Sequence, residues 1–109
     1  MNGKSEEAIP IYEKLLEVEP NNIGALNNFG ISLIKIGDFK HAEAIYRQSI
    51  SLDSTRAIAH FGLAVSLFNQ NMFKEAEQAC QTAVALNPEF LPAIKLLNAI
   101  QDQQKHNKE

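Results

Sequence analysis

Tryptophan is absent from the sequence and cysteine occurs once, at Cys80. A lone thiol excludes an internal disulfide framework and fits a reducing compartment. Glycine (5) and proline (4) are sparse, and only 21% of the residues are charged, with no long run of one sign, which excludes a disordered chain. Basic excess is missing too: 10 Lys and Arg stand against 13 Asp and Glu, a net charge of −3. That removes the positive footprint a nucleic-acid binder needs to neutralise phosphates, so no nucleic-acid partner is expected. No apolar run approaches membrane-spanning length, and the N-terminus has no basic stretch followed by a hydrophobic one. No membrane insertion is expected, and the compartment expected is the cytoplasm.

What is present is 45% hydrophobic content over 109 residues, enough for one core. The acidic excess is concentrated in residues 1–22, where Glu6, Glu7, Glu13, Glu17 and Glu19 face only Lys4 and Lys14. A solvated helix face is the first reading of such a cluster. The strongest signal is a repeat. Residues 23–56 and 57–90 are equal in length and share a pattern: Leu26 answers to His60, Phe29 to Leu63, Gly30 to Ala64, Leu33 to Leu67, Phe39 to Phe73, Ala42 to Ala76, Tyr46 to Cys80 and Leu52 to Leu86. A fixed period of this size marks an array of small units, none of which buries its apolar face alone.

Taken in order, residues 4–19 have helical apolar spacing, with a start near Ser5 that would put Pro10 just past the first turn, where a missing N–H costs little. Pro20-Asn21-Asn22 ends that helix. Leu26, Phe29, Gly30 and Leu33 form one helical stripe; Gly37-Asp38 breaks it, and Asp38 can cap a second helix packing through Ala42, Ile45, Tyr46, Ser49, Ile50 and Leu52. The small residues Gly30 and Ala42 let the two helices approach closely. The second unit repeats this, and from Leu91 a third begins with Ala93, Ile94 and Leu97. It then turns polar, with Asn98 and Gln101 at the positions of Gly30/Ala64 and Leu33/Leu67, and ends in a wholly polar tail. A polar last face suits an array end.

These residues carry a resemblance to the tetratricopeptide repeat (TPR) family, whose helix–turn–helix unit has the order W–L–G–Y, then A–F–A–P. The first full unit matches with Leu26, Phe29, Gly30, Leu33, Ala42, Tyr46 and Ser49, and has Ser54 where the family prefers proline. The second matches with His60, Leu63, Ala64, Leu67, Ala76, Cys80, Ala83 and Pro88, and the same register carried backwards meets Gly3, Ala8, Tyr12, Leu15 and Pro20. The resemblance implies an all-α, right-handed TPR solenoid of antiparallel helix–turn–helix units with about six helices. Residues 1–22 would be a half-repeat (second helix only), 23–56 and 57–90 full repeats, and 91–109 a closing helix and polar tail. A half-repeat at the start leaves Ala8, Tyr12 and Leu15 uncovered on one side. The expectation is therefore a piece of a longer array or a self-associating chain, a homo-oligomer joined through that helix.

The resemblance also implies a protein or peptide partner held in a concave groove lined by the first helices of successive units. The family's groove positions fall here on Gly24, Asn27, Ile31, Ile34 and Lys35, on Ile58, Phe61, Val65, Phe68 and Asn69, and on Pro92, Lys95, Ala99 and Asp102. The residues themselves agree in part. Ile31 and Ile34 are left over once Leu26, Phe29 and Leu33 form the packing stripe, and Phe61, Val65 and Phe68 are a second excess, so an apolar contact strip is expected. Asn27 and Asn69 could bond a ligand backbone, and Lys35 and Lys95 a carboxylate. TPR domains that clamp EEVD chaperone tails use Lys, Asn and Arg at positions that here hold Asn27, Ile31, Gly62, Pro92 and Leu96, so that clamp is not expected. The asparagine ladder of glycosyltransferase arrays is not matched either, since Asn28 is followed one unit later by Gly62.

No arrangement for catalysis is found: no phosphate loop, nucleophile elbow or paired carboxylates. His41 reads as a solvent-facing residue. His60 and Cys80 share the packing positions of one unit, and two ligands fall short of a zinc site, so a core histidine beside a buried thiol is expected. Glu43 and Glu77 recur at one repeat position and read as a solvated stripe. The chain is expected to be no enzyme, with no cofactor and no metal; its expected role is to bind an apolar peptide or helix.

Overall fold

The computed structural model describes residues 3–107, which form six helices and, among the described residues, no strand. They are α1 (Gly3–Val18), α2 (Ile23–Lys35), α3 (Phe39–Leu52), α4 (Ala57–Phe68), α5 (Phe73–Leu86) and α6 (Leu91–Asn107). Each helix packs on the next, and α2, α4 and α6 also touch along one side, giving an elongated 47 × 30 × 20 Å slab.

Local chemistry sets the breaks. Asn22 caps α2, its Oδ1 accepting from the Ala25 N–H at 3.0 Å, and Asp38 caps α3 by accepting from the His41 N–H at 3.2 Å. Between α2 and α3, Gly37 sits at φ +84° while the Asp38 N–H reaches back to the Leu33 carbonyl at 2.9 Å. One repeat later Asn71 takes the same left-handed place at φ 63°, with the Met72 N–H on the Leu67 carbonyl. Asparagine is one of the few side chains that tolerates this conformation.

The turn after α3 is tied by Asp53. Its carboxylate accepts from the Thr55 hydroxyl (2.6 Å), the Thr55 N–H (3.0 Å) and Arg56 Nε (3.1 Å). Those bonds, from Thr55 first and Arg56 second, pull its pKa from 3.8 down to about 2. A depressed carboxylate stabilises the fold above its unfolded pKa and loses that contribution as pH falls through the folded value. Asp53→Asn is therefore expected to lower the melting temperature at pH 7, with the gap to the parent chain closing as pH drops from about 3.8 to about 2; melts across that range check it.

The core runs the length of the slab. Leu26, Leu33, Tyr46 and Leu67 are each 1% exposed, and Ala42, Ala59, Ala64, Ala76, Cys80, Ala83, Ala93 and Ile100 are fully buried. The many alanines allow close helix approach, so few large side chains are needed to fill the space between helices.

Two sequence expectations change. Helix α1 begins at Gly3, which makes Pro10 its eighth residue, inside the helix, where the missing N–H leaves the Glu6 carbonyl without its usual intrahelical donor. Leu52 does not pack: it and its counterpart Leu86 are 39% and 42% exposed at the ends of their helices. Of the polar tail, residues 101–107 lie within α6, and Lys108 and Glu109 fall outside the described residues.

Candidate functional site

Helix α2 turns Ile31, Ile34 and Lys35 towards Ile58, Phe61 and Val65 of α4, and the six line an apolar cavity of about 380 Å³. Its floor is made by Tyr46 of α3 and by Gly62. Tyr46 is wedged between the two first helices. A Cβ on Gly30 would lie 2.5 Å from its ring, and one on Gly62 would run into the opposite side. Glycine at both positions is thus what lets an aromatic ring pass between α2 and α4. The Tyr46 hydroxyl donates to the Asn27 carbonyl at 3.4 Å, and burial pushes its pKa far above the ordinary phenol value. It stays neutral, so the floor carries no charge.

The other expected groove residues are placed elsewhere. Asn27 is buried, and its Oδ1 accepts from the Ser49 hydroxyl at 2.6 Å, so it ties α2 to α3. Phe68 sits edge-on to Phe73 with ring centroids 5.6 Å apart, and Asn69 spends its amide on the Val65 carbonyl at the end of α4. Lys95 is exposed on α6 and does not line the cavity. Phe61 does line it, half-buried and propped edge-on by Phe90 at 5.2 Å. Ile31 and Ile58 are the open apolar rim, at 37% and 42% exposure. Tyr46 and Gly62 line the cavity without being among the expected groove residues; the signal for Gly62 is a glycine in mid-helix with no turn to serve.

At the N-terminal end, Ala8, Tyr12 and Leu15 are each partly buried. Tyr12 stacks on Phe29 at 6.1 Å, while Ile11 and Val18 of the same helix are 67% and 78% exposed.

The remaining polar residues have structural partners. His41 is exposed but stands edge-on to Phe29 at 5.3 Å. His60 and Cys80 turn to different backbones: His60 Nε2–H donates to the Ser54 carbonyl at 2.9 Å, and Cys80 Sγ–H to the Ala93 carbonyl at 3.0 Å. Burial lifts the thiol pKa to about 11, against a smaller opposing pull from a backbone hydrogen bond at Leu97, so it is no nucleophile at neutral pH. Among the described residues no group of three or more His, Cys, Asp or Glu could hold a metal ion, and no helix is long and apolar enough to cross a membrane.

Glu43 and Glu77 are not a solvated stripe. Glu43 accepts from Gln70 at 3.0 Å and Arg47 at 2.9 Å, and Glu77 from Gln104 at 2.9 Å and Gln101 at 3.3 Å. Burial alone would raise the Glu43 pKa, but the bonds from Gln70 and Arg47 more than reverse it and hold the carboxyl low. Glu43–Gln70 and Glu77–Gln104 are one contact repeated, both partners shifting together by one unit.

Comparison with known proteins agrees with this architecture. The peroxisomal targeting signal receptor of Candida glabrata is 27% identical over 109 residues, covering 97% of this chain and 18% of that protein. Human protein O-mannosyl-transferase TMTC3 is 28% identical over 94 residues, 86% of this chain and 10% of that protein. The chain thus spans less than a fifth of the length of these two relatives. Among solved structures, MamA superposes with a TM-score of 0.90 at 30% identity, over 94% of this chain and 60% of that one. The second TPR domain of human RPAP3, in complex with an HSP70 peptide, superposes with a TM-score of 0.86 at 26% identity, over 91% of this chain and 82% of that one. The tetratricopeptide repeat family itself matches residues 2–22, 23–56 and 57–90. With six antiparallel helices in that register, the chain belongs to the tetratricopeptide repeat family.

Proposed function

We propose that the chain is a protein-interaction module that takes an apolar peptide segment or helix in the cavity between α2 and α4. The observation that carries this is the cavity itself: about 380 Å³, walled by Ile31, Ile34, Ile58, Phe61 and Val65, over a neutral tyrosine floor. A hollow of this size accepts a bulky aliphatic or aromatic anchor, and apolar walls left open in a folded domain usually mark a contact site. The peptide complex of the RPAP3 domain supports the general role. An acidic tail suits this cavity less well. Its only charged lining residue is Lys35, and of the five positions that would clamp a carboxylate, Ile31 and Gly62 lie on the apolar wall and floor, Asn27 is engaged with Ser49, and Pro92 and Leu96 carry no charge.

Burying one anchor contributes about 1.5–3 kcal/mol before peptide ordering is subtracted, so micromolar-class affinity is expected. The test is calorimetric titration with helical peptides bearing a Leu or Phe anchor, beside peptides ending in EEVD. The anchored peptides should bind, and Ile31→Asp or Ile58→Asp should weaken them by about tenfold or more. Both positions are rim-exposed, so the melting temperature should hold. Preference for the EEVD peptides, or affinity indifferent to both substitutions, would overturn the reading.

A further inference from the structure

Between α3 and α5, and likewise between α1 and α3, the second helices leave a groove over the first helix beneath them, and the two grooves share one register. Over α4, Arg47 of α3 reaches across to Glu75 of α5 at 3.3 Å while also holding Glu43 at 2.9 Å. There the chain supplies its own cation, and the space beneath is about 210 Å³.

Over α2 the charges change places. Glu13 of α1 takes the position of Arg47, and His41 of α3 that of Glu75. Glu17, one turn on from Glu13, stands where α3 has Ser51, and both carboxylates are exposed at the mouth. This groove is larger, about 320 Å³, with Leu16 and Ile45 on its walls and the buried Leu26 and Phe29 as its floor. The Gln48 amide donates to the Pro20 carbonyl at 3.4 Å and ties the turn after α1 to α3 at one end. The groove is on the side that α1 turns to α2 and α3, inside the array like its successor, and not on the outer edge of α1.

We propose that the groove between α1 and α3 is a second docking site, for a partner segment that brings an arginine to Glu13 and Glu17. An apolar floor under two carboxylates fits a side chain that is aliphatic along its stem and cationic at its tip. Arginine suits it better than lysine, because the guanidinium is less strongly hydrated and its fork can meet two carboxylates. It is also the residue that the chain itself places at the matching position of the next groove. The five glutamates against two lysines in residues 1–22 favour the approach of such a basic segment. No residue lines both this groove and the cavity between α2 and α4, so the proposal does not rest on the reading of that cavity.

Fluorescence anisotropy with a labelled, alanine-based helical peptide bearing an arginine at every fourth position tests this. The peptide has no bulky apolar residue for the cavity between α2 and α4, and its twin carries glutamate in place of arginine. The arginine peptide is expected to bind with a Kd below about 1 mM, and the twin not to bind. Glu13→Lys combined with Glu17→Lys should weaken binding by about tenfold or more. Glu6→Lys combined with Glu7→Lys makes the same change of charge on the same helix outside the groove, and should leave the affinity within about twofold. Ile31→Asp, in the other cavity, should not weaken it. All five positions are exposed, so thermal unfolding of the variants serves as the folding control. No binding of the arginine peptide, equal losses in the two charge-reversed pairs, or a loss in Ile31→Asp would each overturn the proposal.

Discussion

Gly62→Ala is expected to destabilise the chain by about 2 kcal/mol, and to stabilise it once Tyr46 has been cut to alanine. In the parent chain a methyl at Gly62 meets the Tyr46 ring, and the ring cannot retreat because Gly30 stands against its other side. Overpacking costs about 1–3 kcal/mol, and a ring held on both sides belongs at the upper end. Against that stands only the roughly 1 kcal/mol by which alanine exceeds glycine inside a helix. Tyr46→Ala alone should cost about 3–5 kcal/mol, since it empties a fully buried aromatic site and removes the hydroxyl bond to the Asn27 carbonyl. In that background the clash is gone and the propensity gain remains, so the sign of Gly62→Ala reverses. Urea unfolding of the four proteins, with unchanged m-values, measures a coupling of about 3 kcal/mol. Additive effects would mean that the ring is not wedged between the two helices.

The same wedge shows what could be seen in the sequence and what could not. Period, helix type and breaks were legible because they depend on local chemistry repeated in register: Asn22, Gly37 and Asp38 act on their own neighbours. The two-sided character of α2 was legible too, since Ile31 and Ile34 lie off the Leu26–Phe29–Leu33 stripe. What escaped depends on which residue of another helix arrives at a given point. Asn27 was read as a ligand contact because periodicity cannot show that Ser49 donates to it across the helix pair. Phe68 reads as a groove residue because periodicity does not show that Phe73, five residues on, meets it after a turn. Glu43 and Glu77 were recognised as recurring, but their partners recur as well. Gln70 and Gln104 keep the same separation from them, a signal that the sequence contained and that a search for paired recurrences would find.

Helix α6 gives the second large effect. Ile100 is fully buried in α6, at the repeat position where α2 and α4 carry Ser32 and Ser66. Its neighbours along the helix, Ala99 and Gln101, are exposed, so it was hidden within a stretch that reads as polar. As the large side chain buried at the far end of α6, beyond Ala93, it is the main apolar anchor of that half of the helix. Ile100→Ala should cost about 2–5 kcal/mol. In a repeat array a terminal helix can release without the rest, so the loss should appear first as local opening. Cys80 reports it, because its thiol is fully buried and bonded to the Ala93 carbonyl of α6. In the parent chain the thiol should react with an alkylating reagent only through rare opening. When opening and closing outpace labelling, a 2–5 kcal/mol loss of closing energy raises that rate by about 30-fold to 5,000-fold. Gln104→Ala, which removes only a hydrogen bond to Glu77, should raise it by less than about tenfold. A labelling rate in Ile100→Ala equal to that of the parent would mean that α6 is held by other contacts.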